Sequence, residues 1–284
     1  MPKFGVSTYS VSKKVNAGEF TPEQGIKWLC ENGAEVIEVS GIDFMSDKNL
    51  ISRVKNVADG FGVPLANYSL GADFLVPNLA EELDKVKAHM NIAKELGALS
   101  FRSDCAPWSP SDRNSIENFI NDLPKIAETY NELAEYAATI GLKLLIENHG
   151  FHANGAERVR LILKGVKSSN FGLQLDVGNF ICMDDKPEVT VKTMIPFAAV
   201  VHMKDFYVRH ANPGDANSWI QTVGKQYLRG AIFGQGDLDI PAIVRTVKDY
   251  GYDGNIFIEY EGLEDCLYGT KVSLDNLKRI WSEV

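Results

Sequence analysis

The chain has 284 residues, a net charge of −9 and a hydrophobic content of 45%. This length allows one large core, and α/β barrels of this size often form a single domain. The acidic balance disfavours a nucleic-acid partner, because nucleic-acid-binding proteins usually present a basic patch. No apolar run approaches the ~20 residues of a membrane span, and the N-terminus lacks a long apolar segment. We therefore expect a cytoplasmic protein without a membrane partner.

Strand-like and helix-like segments alternate along the chain. The helix signals include Thr21-Pro22-Glu23 at a start and Asn32-Gly33 at an end. The predicted strands cover residues 3–9, 35–40, 64–70, 98–104, 143–149, 172–178, 199–205 and 255–261. The predicted helices cover residues 21–32, 47–60, 79–96, 115–140, 156–166, 188–196, 239–250 and 264–282.

This alternation predicts right-handed βαβ units and a parallel sheet. Eight such units in fewer than 300 residues favour a closed (β/α)8 TIM barrel, an α/β fold, as one domain over residues 1–284. The loop after the first strand lacks GxGxxG, which disfavours a dinucleotide site. Residues 206–237 are expected to form a long loop that covers the active site. The widely spaced Cys30, Cys105, Cys182 and Cys266 are expected to be free thiols.

Polar residues interrupt apolar sequence at the ends of the last four predicted strands. They are Glu147, Asp176, His202 and Glu259. TIM-barrel active sites lie at the C-terminal ends of the strands, where these side chains could converge. Three carboxylates beside an imidazole would repel one another without a cation. Their donor atoms suit Mn²⁺, Mg²⁺, Co²⁺ or Zn²⁺, so the pattern predicts one divalent metal ion.

The simpler alternative is that each of these residues is an ordinary cap or loop contact. Four such residues at matching levels of successive strands make that interpretation the weaker one. Earlier strand ends add further polar residues: Tyr9, Glu38, Tyr68, Arg102 and Asp104.

Five short motifs resemble those of the xylose isomerase-like TIM barrel superfamily of sugar isomerases and epimerases. They are IENHG (146–150), LDVGN (175–179), HMKD (202–205), GQGDLD (234–239) and FIEYE (257–261). The resemblance implies that Glu147, Asp176, His202 and Glu259 bind one divalent metal ion. It also implies that Glu147 and Glu259 transfer protons on a keto sugar or sugar phosphate, through a metal-stabilised enediolate.

The resemblance suggests further substrate contacts. His149 follows the first glutamate by two residues, and Arg209 lies after the seventh strand. Asn179 stands where many relatives carry a histidine, and it cannot titrate near pH 7. Arg102 and Lys204 are further candidates, with pairing of Lys204 to Asp205 slightly favoured.

Aromatic residues of the loops could form an apolar wall over a sugar ring. Trp108, Phe74 and Trp219 are the candidates, and core packing under a loop is the equally weighted alternative for each.

Three other functions compete with this interpretation. An abasic-site nuclease of the same superfamily needs more histidines than this chain offers, and the charge of −9 also disfavours it. A dehydratase acting on an inositol-derived ketone needs the same metal and the same C–H abstraction, so it stays open. A non-catalytic sugar-binding barrel also stays open. The expected partner is a small-molecule sugar or sugar phosphate, and the expected assembly is a homodimer or homotetramer.

Overall fold

The computed structural model describes residues 1–109, 111–215 and 218–284, and its centre is a closed barrel of parallel strands. The barrel strands are β1 (Lys3–Ser7), β2 (Ile37–Ser40), β3 (Leu65–Leu70), β4 (Ser100–Ser103), β5 (Lys143–Glu147), β6 (Phe171–Asp176), β7 (Ala198–Met203) and β11 (Asn255–Ile258). Around the barrel their order is β1-β11-β7-β6-β5-β4-β3-β2. The predicted (β/α)8 barrel is confirmed.

Helices connect the strands and pack around the outside of the barrel. They are α1 (Ser12–Asn16), α2 (Pro22–Glu31), α3 (Asn49–Phe61), α4 (Leu79–Leu96), α5 (Ile116–Thr139), α6 (Ala156–Gly165), α7 (Pro187–Met194), α8 (Ile240–Asp249) and α9 (Cys266–Glu283). The helices from α2 to α9 lie within about two residues of the predicted bounds. At the start of α2, the Thr21 hydroxyl accepts from the Gln24 amide N–H, and the Gln24 side chain accepts from the Thr21 N–H.

An apolar layer fills the inside of the barrel below the strand ends. Val36, Leu145, Val200 and Phe257 pack together there, whereas Leu144 and Ile146 belong to the larger core between strands and helices. Because side chains alternate along a strand, the residue two positions beyond an inward residue also points inward. Two positions beyond each of these four residues, at or directly after the ends of β2, β5, β7 and β11, the alternation places a polar residue above the apolar layer. These residues are Glu38, Glu147, His202 and Glu259.

The segment that follows β7 folds into a small sheet rather than a bare loop. It contains β8 (Asp205–Arg209), β9 (Ile220–Gln221) and β10 (Tyr227–Ala231), which pair antiparallel in the order β8-β10-β9. The expectation of a structureless loop was wrong, because backbone pairing between these three strands organises the segment. We call this element the lid sheet.

One face of the lid sheet packs on the barrel. Phe206 and Leu228 are buried against Phe151 and Cys182. Asp184 also holds the β9–β10 turn, since its carboxylate accepts from the Gly224 N–H at 2.5 Å and from Gln226 Nε2 at 3.0 Å. The lid sheet is therefore fixed to the segment that follows β6.

Two further expectations concern thiols and membranes. All four cysteines are free, with Cys105, Cys182 and Cys266 buried and Cys30 partly buried. Within the described ranges, none of the helices combines the length and apolar character needed to cross a membrane.

Candidate metal centre and cavity

Four side chains converge at the C-terminal end of the barrel. Glu147 and Asp176 are the last residues of β5 and β6, His202 pairs in register with Asp176, and Glu259 directly follows β11. One potential ligand atom from each residue lies within 4.8 Å of all the others. The clustering expected from the sequence is therefore present in the fold.

The imidazole of His202 is central to this cluster. Its Nδ1 atom lies 3.9 Å from Glu147 Oε1, 4.0 Å from Asp176 Oδ2 and 3.9 Å from Glu259 Oε2. Two atoms that each bind one ion at about 2.1 Å can be at most about 4.2 Å apart. Each carboxylate is thus close enough to share an ion with the imidazole.

Two buried candidate ligand atoms have no hydrogen-bond partner among the described residues: Asp176 Oδ2 and His202 Nδ1. The other oxygen of Asp176 accepts from the backbone N–H groups of Gly178 and Asn179, each at 2.8 Å. The other nitrogen of His202 lies 2.8 Å from Glu38 Oε2. A buried polar atom without a partner is costly, so these two atoms, aimed at one point, fit a cation.

The pKa values of the cluster reflect burial and the crowding of several carboxylates around one imidazole. Burial, with the carboxylates of Glu147 and Glu259, raises the pKa of Asp176 to about 6 against the opposing effect of Lys204. Burial would lower the pKa of His202, but Glu38 and Glu259 outweigh burial and hold that pKa well above its ordinary value. A bound divalent ion would reverse both effects, because it favours ionised carboxylates and a neutral imidazole.

Two buried cations flank the cluster, and Lys204 is the first. Its Nζ lies 2.5 Å from Glu259 Oε2 and 3.6 Å from both Asp176 Oδ2 and Glu261 Oε2. The favoured pairing of Lys204 with Asp205 was wrong, because the Asp205 carboxylate instead accepts backbone N–H groups, including that of Gly236 at 2.8 Å. Burial would raise the pKa of Glu259, but Lys204 and His202 hold that pKa well below its usual range.

Arg102 occupies the corresponding position beside Glu147. Its Nη2 contacts Glu147 Oε2 and lies 2.8 Å from Asp104 Oδ1. The amide of Asn179 donates to Glu147 Oε1 at 3.2 Å. His149 Nδ1 lies 3.1 Å from Asp104 Oδ1. The main partners of the Arg102 guanidinium group are therefore the carboxylates of Glu147 and Asp104.

A cavity of about 480 Å³ opens above the cluster. His149, Asn179 and Trp108 line it, as do Arg102 and Lys204. The lid sheet closes one side, through residues that include Ile220 and Leu228. The expectation that residues 206–237 cover the site thus matches the position of this sheet.

Three of the expected contacts lie elsewhere. Arg209 does not line the cavity within the described part of the chain; its side chain is 48% exposed and pairs with Asp237 at 2.7 Å. Phe74 is fully buried and packs edge-on against Tyr130. Trp219 packs with Arg229, whose guanidinium carbon lies 4.6 Å from the indole ring centre.

The sequence did not predict the polar layer beneath the cluster. Glu38 was identified as a polar residue at a strand end but was given no role, and Asn67 and Gln174 were not identified at all. All three are completely buried. The available signal was a polar residue inside an otherwise apolar strand, as in EVIEVS, PLANYSL and GLQLDVG.

A family model for xylose isomerase-like TIM barrels matches residues 26–280. The chain belongs to this family. It is 23% identical to the inosose dehydratase of Yersinia enterocolitica, over 81% of this chain and 78% of that protein.

Solved structures with similar folds come from several organisms. D-allulose 3-epimerase from Methylomonas sp., in complex with D-allulose, superposes with a TM-score of 0.74 at 17% identity, over 100% of this chain and 97% of that one. A xylose isomerase-like barrel protein from Mycobacterium smegmatis, in complex with magnesium, gives a TM-score of 0.71 at 18% identity, over 99% and 98% of the two chains. At these identities the likeness shows the fold alone.

Proposed function

We propose that this protein is a divalent-metal-dependent isomerase or epimerase that acts on a keto sugar or a sugar phosphate. The observation that carries the proposal is the convergence of two buried side-chain atoms without hydrogen-bond partners and two further carboxylates at the base of a cavity, within the described part of the chain. Solved structures with this fold include a sugar epimerase, which supports a sugar substrate.

Glu147, Asp176, His202 and Glu259 would hold the ion. Three carboxylates and one imidazole suit Mn²⁺, Mg²⁺, Co²⁺ or Zn²⁺, and the magnesium complex of the Mycobacterium smegmatis protein is in keeping with this donor set. When bound, the ion would polarise the substrate carbonyl and lower the pKa of a neighbouring hydroxyl group.

Glu147 and Glu259 are the proposed proton carriers. They reach the cluster from β5 and β11, which are separated in the barrel by β6 and β7. Their carboxylates can therefore meet a substrate carbon from different sides. If one removes a proton next to the carbonyl and the other returns one, the carbon is epimerised; a single carboxylate that moves a proton between adjacent carbons gives isomerisation.

Other residues of the cavity would orient the substrate. His149 and Asn179 present polar atoms beside the cluster, and the half-exposed Trp108 offers an apolar surface. Lys204 would donate a hydrogen bond to a substrate oxygen, a role supported by its position in the cavity lining. Arg209 is not part of the proposal, since it pairs with Asp237 outside the cavity.

Deuterium exchange tests the proposal. The protein would be incubated in D₂O with Mn²⁺ and a panel of ketohexoses, ketopentoses, inosose and their phosphates, followed by mass spectrometry and NMR. We expect deuterium at the carbon next to the carbonyl of one sugar. Glu259→Gln should abolish the exchange, whereas Glu188→Gln, at an exposed residue of α7, should retain it.

A dehydratase is the second candidate, because the curated relative from Yersinia enterocolitica is an inosose dehydratase that matches most of the chain. It would begin with the same C–H abstraction and continue with loss of hydroxide. Loss of one water from inosose in the same experiment would identify this activity. Sugar binding without exchange or loss of water from any compound would instead identify a non-catalytic sugar-binding barrel.

A further inference from the structure

A chain of buried polar side chains crosses the barrel interior beneath the candidate metal centre. Glu38, Asn67 and Gln174 have no exposed surface. The interior of a TIM barrel is normally filled by layers of packed apolar side chains. Burying a carboxylate and two amides there is costly unless each is well hydrogen-bonded, so this layer calls for a specific role.

The contacts run from one candidate ligand to another. Glu38 Oε2 lies 2.8 Å from His202 Nε2, and Asn67 Nδ2 donates to the same Glu38 oxygen at 2.6 Å. Asn67 Nδ2 also donates to Gln174 Oε1 at 2.7 Å, and Gln174 Nε2 donates to Glu147 Oε2 at 3.3 Å. The two candidate ligands are thus connected through the protein interior.

We infer that Glu38 is a positioning residue that holds the His202 ring in its metal-binding orientation. A carboxylate can only accept, so His202 Nε2 must be the protonated nitrogen that donates to it. In the neutral imidazole that binds a metal ion, the lone pair of Nδ1 is then directed toward Glu147, Asp176 and Glu259. Hydrogen bonds from a ligating histidine to a carboxylate fix the tautomer and the ring, and their removal typically lowers metal affinity by about 10–100-fold.

Asn67 makes this arrangement specific. Because its amide donates to the same oxygen that faces His202, any group placed at position 38 must present an acceptor there. A glutamine at this position would turn its carbonyl oxygen toward both partners. An aspartate would keep the charge, but its carboxylate would be one methylene too short to reach His202.

This role of Glu38 rests on the proposed metal site. Two variants at position 38 separate the length of the side chain, which brings its acceptor to His202, from its negative charge. Cobalt binding would be measured by calorimetry and by the visible absorption of Co²⁺. We expect Glu38→Asp to weaken Co²⁺ binding about 10–100-fold and to alter the spectrum of the saturated protein. We expect Glu38→Gln to keep the wild-type spectrum and most of the affinity.

The matched control is Glu82→Asp, since Glu82 is partly buried but bonds to the Asp73 N–H and Lys85 instead of the cluster. It should bind Co²⁺ as the wild type does. A purely structural role for Glu38 would lower the melting temperature without changing the Co²⁺ spectrum, and that result would overturn the inference. A Glu38→Gln variant as weak as Glu38→Asp would also overturn it, because an acceptor at the right distance from His202 would then not be enough to preserve Co²⁺ binding.

The proposed metal site and the role of Glu38 can fail separately. If the wild-type protein does not bind Co²⁺ or Mn²⁺, the proposed metal site is wrong. If the wild-type protein binds Co²⁺ and Glu38→Asp binds it equally well with the same spectrum, only the positioning role is wrong.

Discussion

At the residue scale, the ammonium group of Lys204 compensates the buried negative charge of the carboxylates in the candidate metal centre. Its ammonium group lies among Glu259, Asp176 and Glu261, and its side chain is only 4% exposed. Removing one partner from a buried ion pair leaves an uncompensated charge and typically costs about 3–5 kcal/mol. Lys204 shares Glu259 Oε2 with the candidate metal site, so lysine and metal ion compensate the same carboxylate.

Lys204→Met tests this shared compensation. In EDTA, we expect the free energy of unfolding to fall by about 3–5 kcal/mol. Saturating Mn²⁺ should recover more stability in this variant than in the wild type, because the ion then meets a carboxylate without a competing cation. Urea unfolding with EDTA and with Mn²⁺ gives both values.

The control is Lys271→Met, which removes a partly exposed lysine that pairs with Asp275 near the surface of α9. Exposed pairs of this kind contribute about 0–1 kcal/mol, so it should change little in either buffer. If Lys204→Met were as stable as the wild type in EDTA, Lys204 would not contribute to stability by compensating these carboxylates.

The four candidate ligands could be predicted from the sequence because each interrupts an apolar strand at its end. The period of two along a strand then places Glu147 above the inward-facing Leu145 and Glu259 above Phe257. The partner of Lys204 could not be predicted, since sequence spacing favoured the adjacent Asp205. The polar layer was missed for a related reason: the contact between Glu38 and His202 joins residues 164 positions apart.

At the scale of elements, one glycine in the loop after β5 permits a close approach of the backbone at Trp108, in the loop after β4. Gly150 has φ +66°, and a Cβ atom placed on it would lie 2.5 Å from Trp108 Cα and 2.8 Å from the Trp108 carbonyl oxygen. These are backbone atoms, so they cannot rotate away as a side chain could. The absence of a Cβ at position 150 thus leaves room for the backbone of Trp108, whose side chain lines the cavity.

Comparing Gly150→Ala with Gly141→Ala separates the cost of the steric clash with Trp108 from the cost of a positive φ at a residue other than glycine. Gly141 has φ +77°, and a Cβ atom placed on it would meet nothing within 4 Å, so its substitution should cost only the left-handed conformation, about 1–2 kcal/mol. Gly150→Ala should cost a further ~1–3 kcal/mol, as overpacking does. Urea unfolding measures both losses, and equal losses would show that the loop after β4 moves without penalty.

The lid sheet shows why this part of the fold could not be predicted. β9 contains two residues, and its pairing with β10 depends on the tight turn held by Asp184, which lies 40 positions from Gly224. The sequence of residues 206–237 shows scattered glycines and no sustained period of two. Only its length indicated a functional insertion, and that indication located the segment correctly beside the cavity.

At the scale of the whole molecule, the candidate metal centre joins the strands of half the barrel. Its candidate ligands come from β5, β6, β7 and the end of β11, which are consecutive neighbours in the closed sheet. An ion bound by all four would link these strands at their C-terminal ends. Ligand binding to the native state alone stabilises it by RT ln(1 + [L]/Kd), about 2.7 kcal/mol at a concentration ~100 times Kd.

Asp176→Asn isolates that linkage from the rest of the fold. An asparagine oxygen can still accept the Gly178 and Asn179 N–H groups that Asp176 Oδ1 accepts now, while Oδ2, which has no hydrogen-bond partner, is replaced by an amide nitrogen. In EDTA, we expect this variant to be at least as stable as the wild type, because one of three crowded carboxylates is gone. In Mn²⁺, the wild type should become the more stable of the two, since only the wild type keeps all four proposed ligands of the ion.

Calorimetry at about pH 7, where unperturbed carboxyl groups are ionised, measures this reversal with EDTA and with Mn²⁺. Asp84→Asn, at an exposed residue of α4, should gain as much stability from Mn²⁺ as the wild type does. If Mn²⁺ stabilised Asp176→Asn by the same amount, the ion would have to bind outside the cluster. The reversal is specific to the cluster because it requires Asp176 to destabilise the metal-free protein and to stabilise the metal-bound protein. An ordinary structural carboxylate would lower stability on replacement in both buffers.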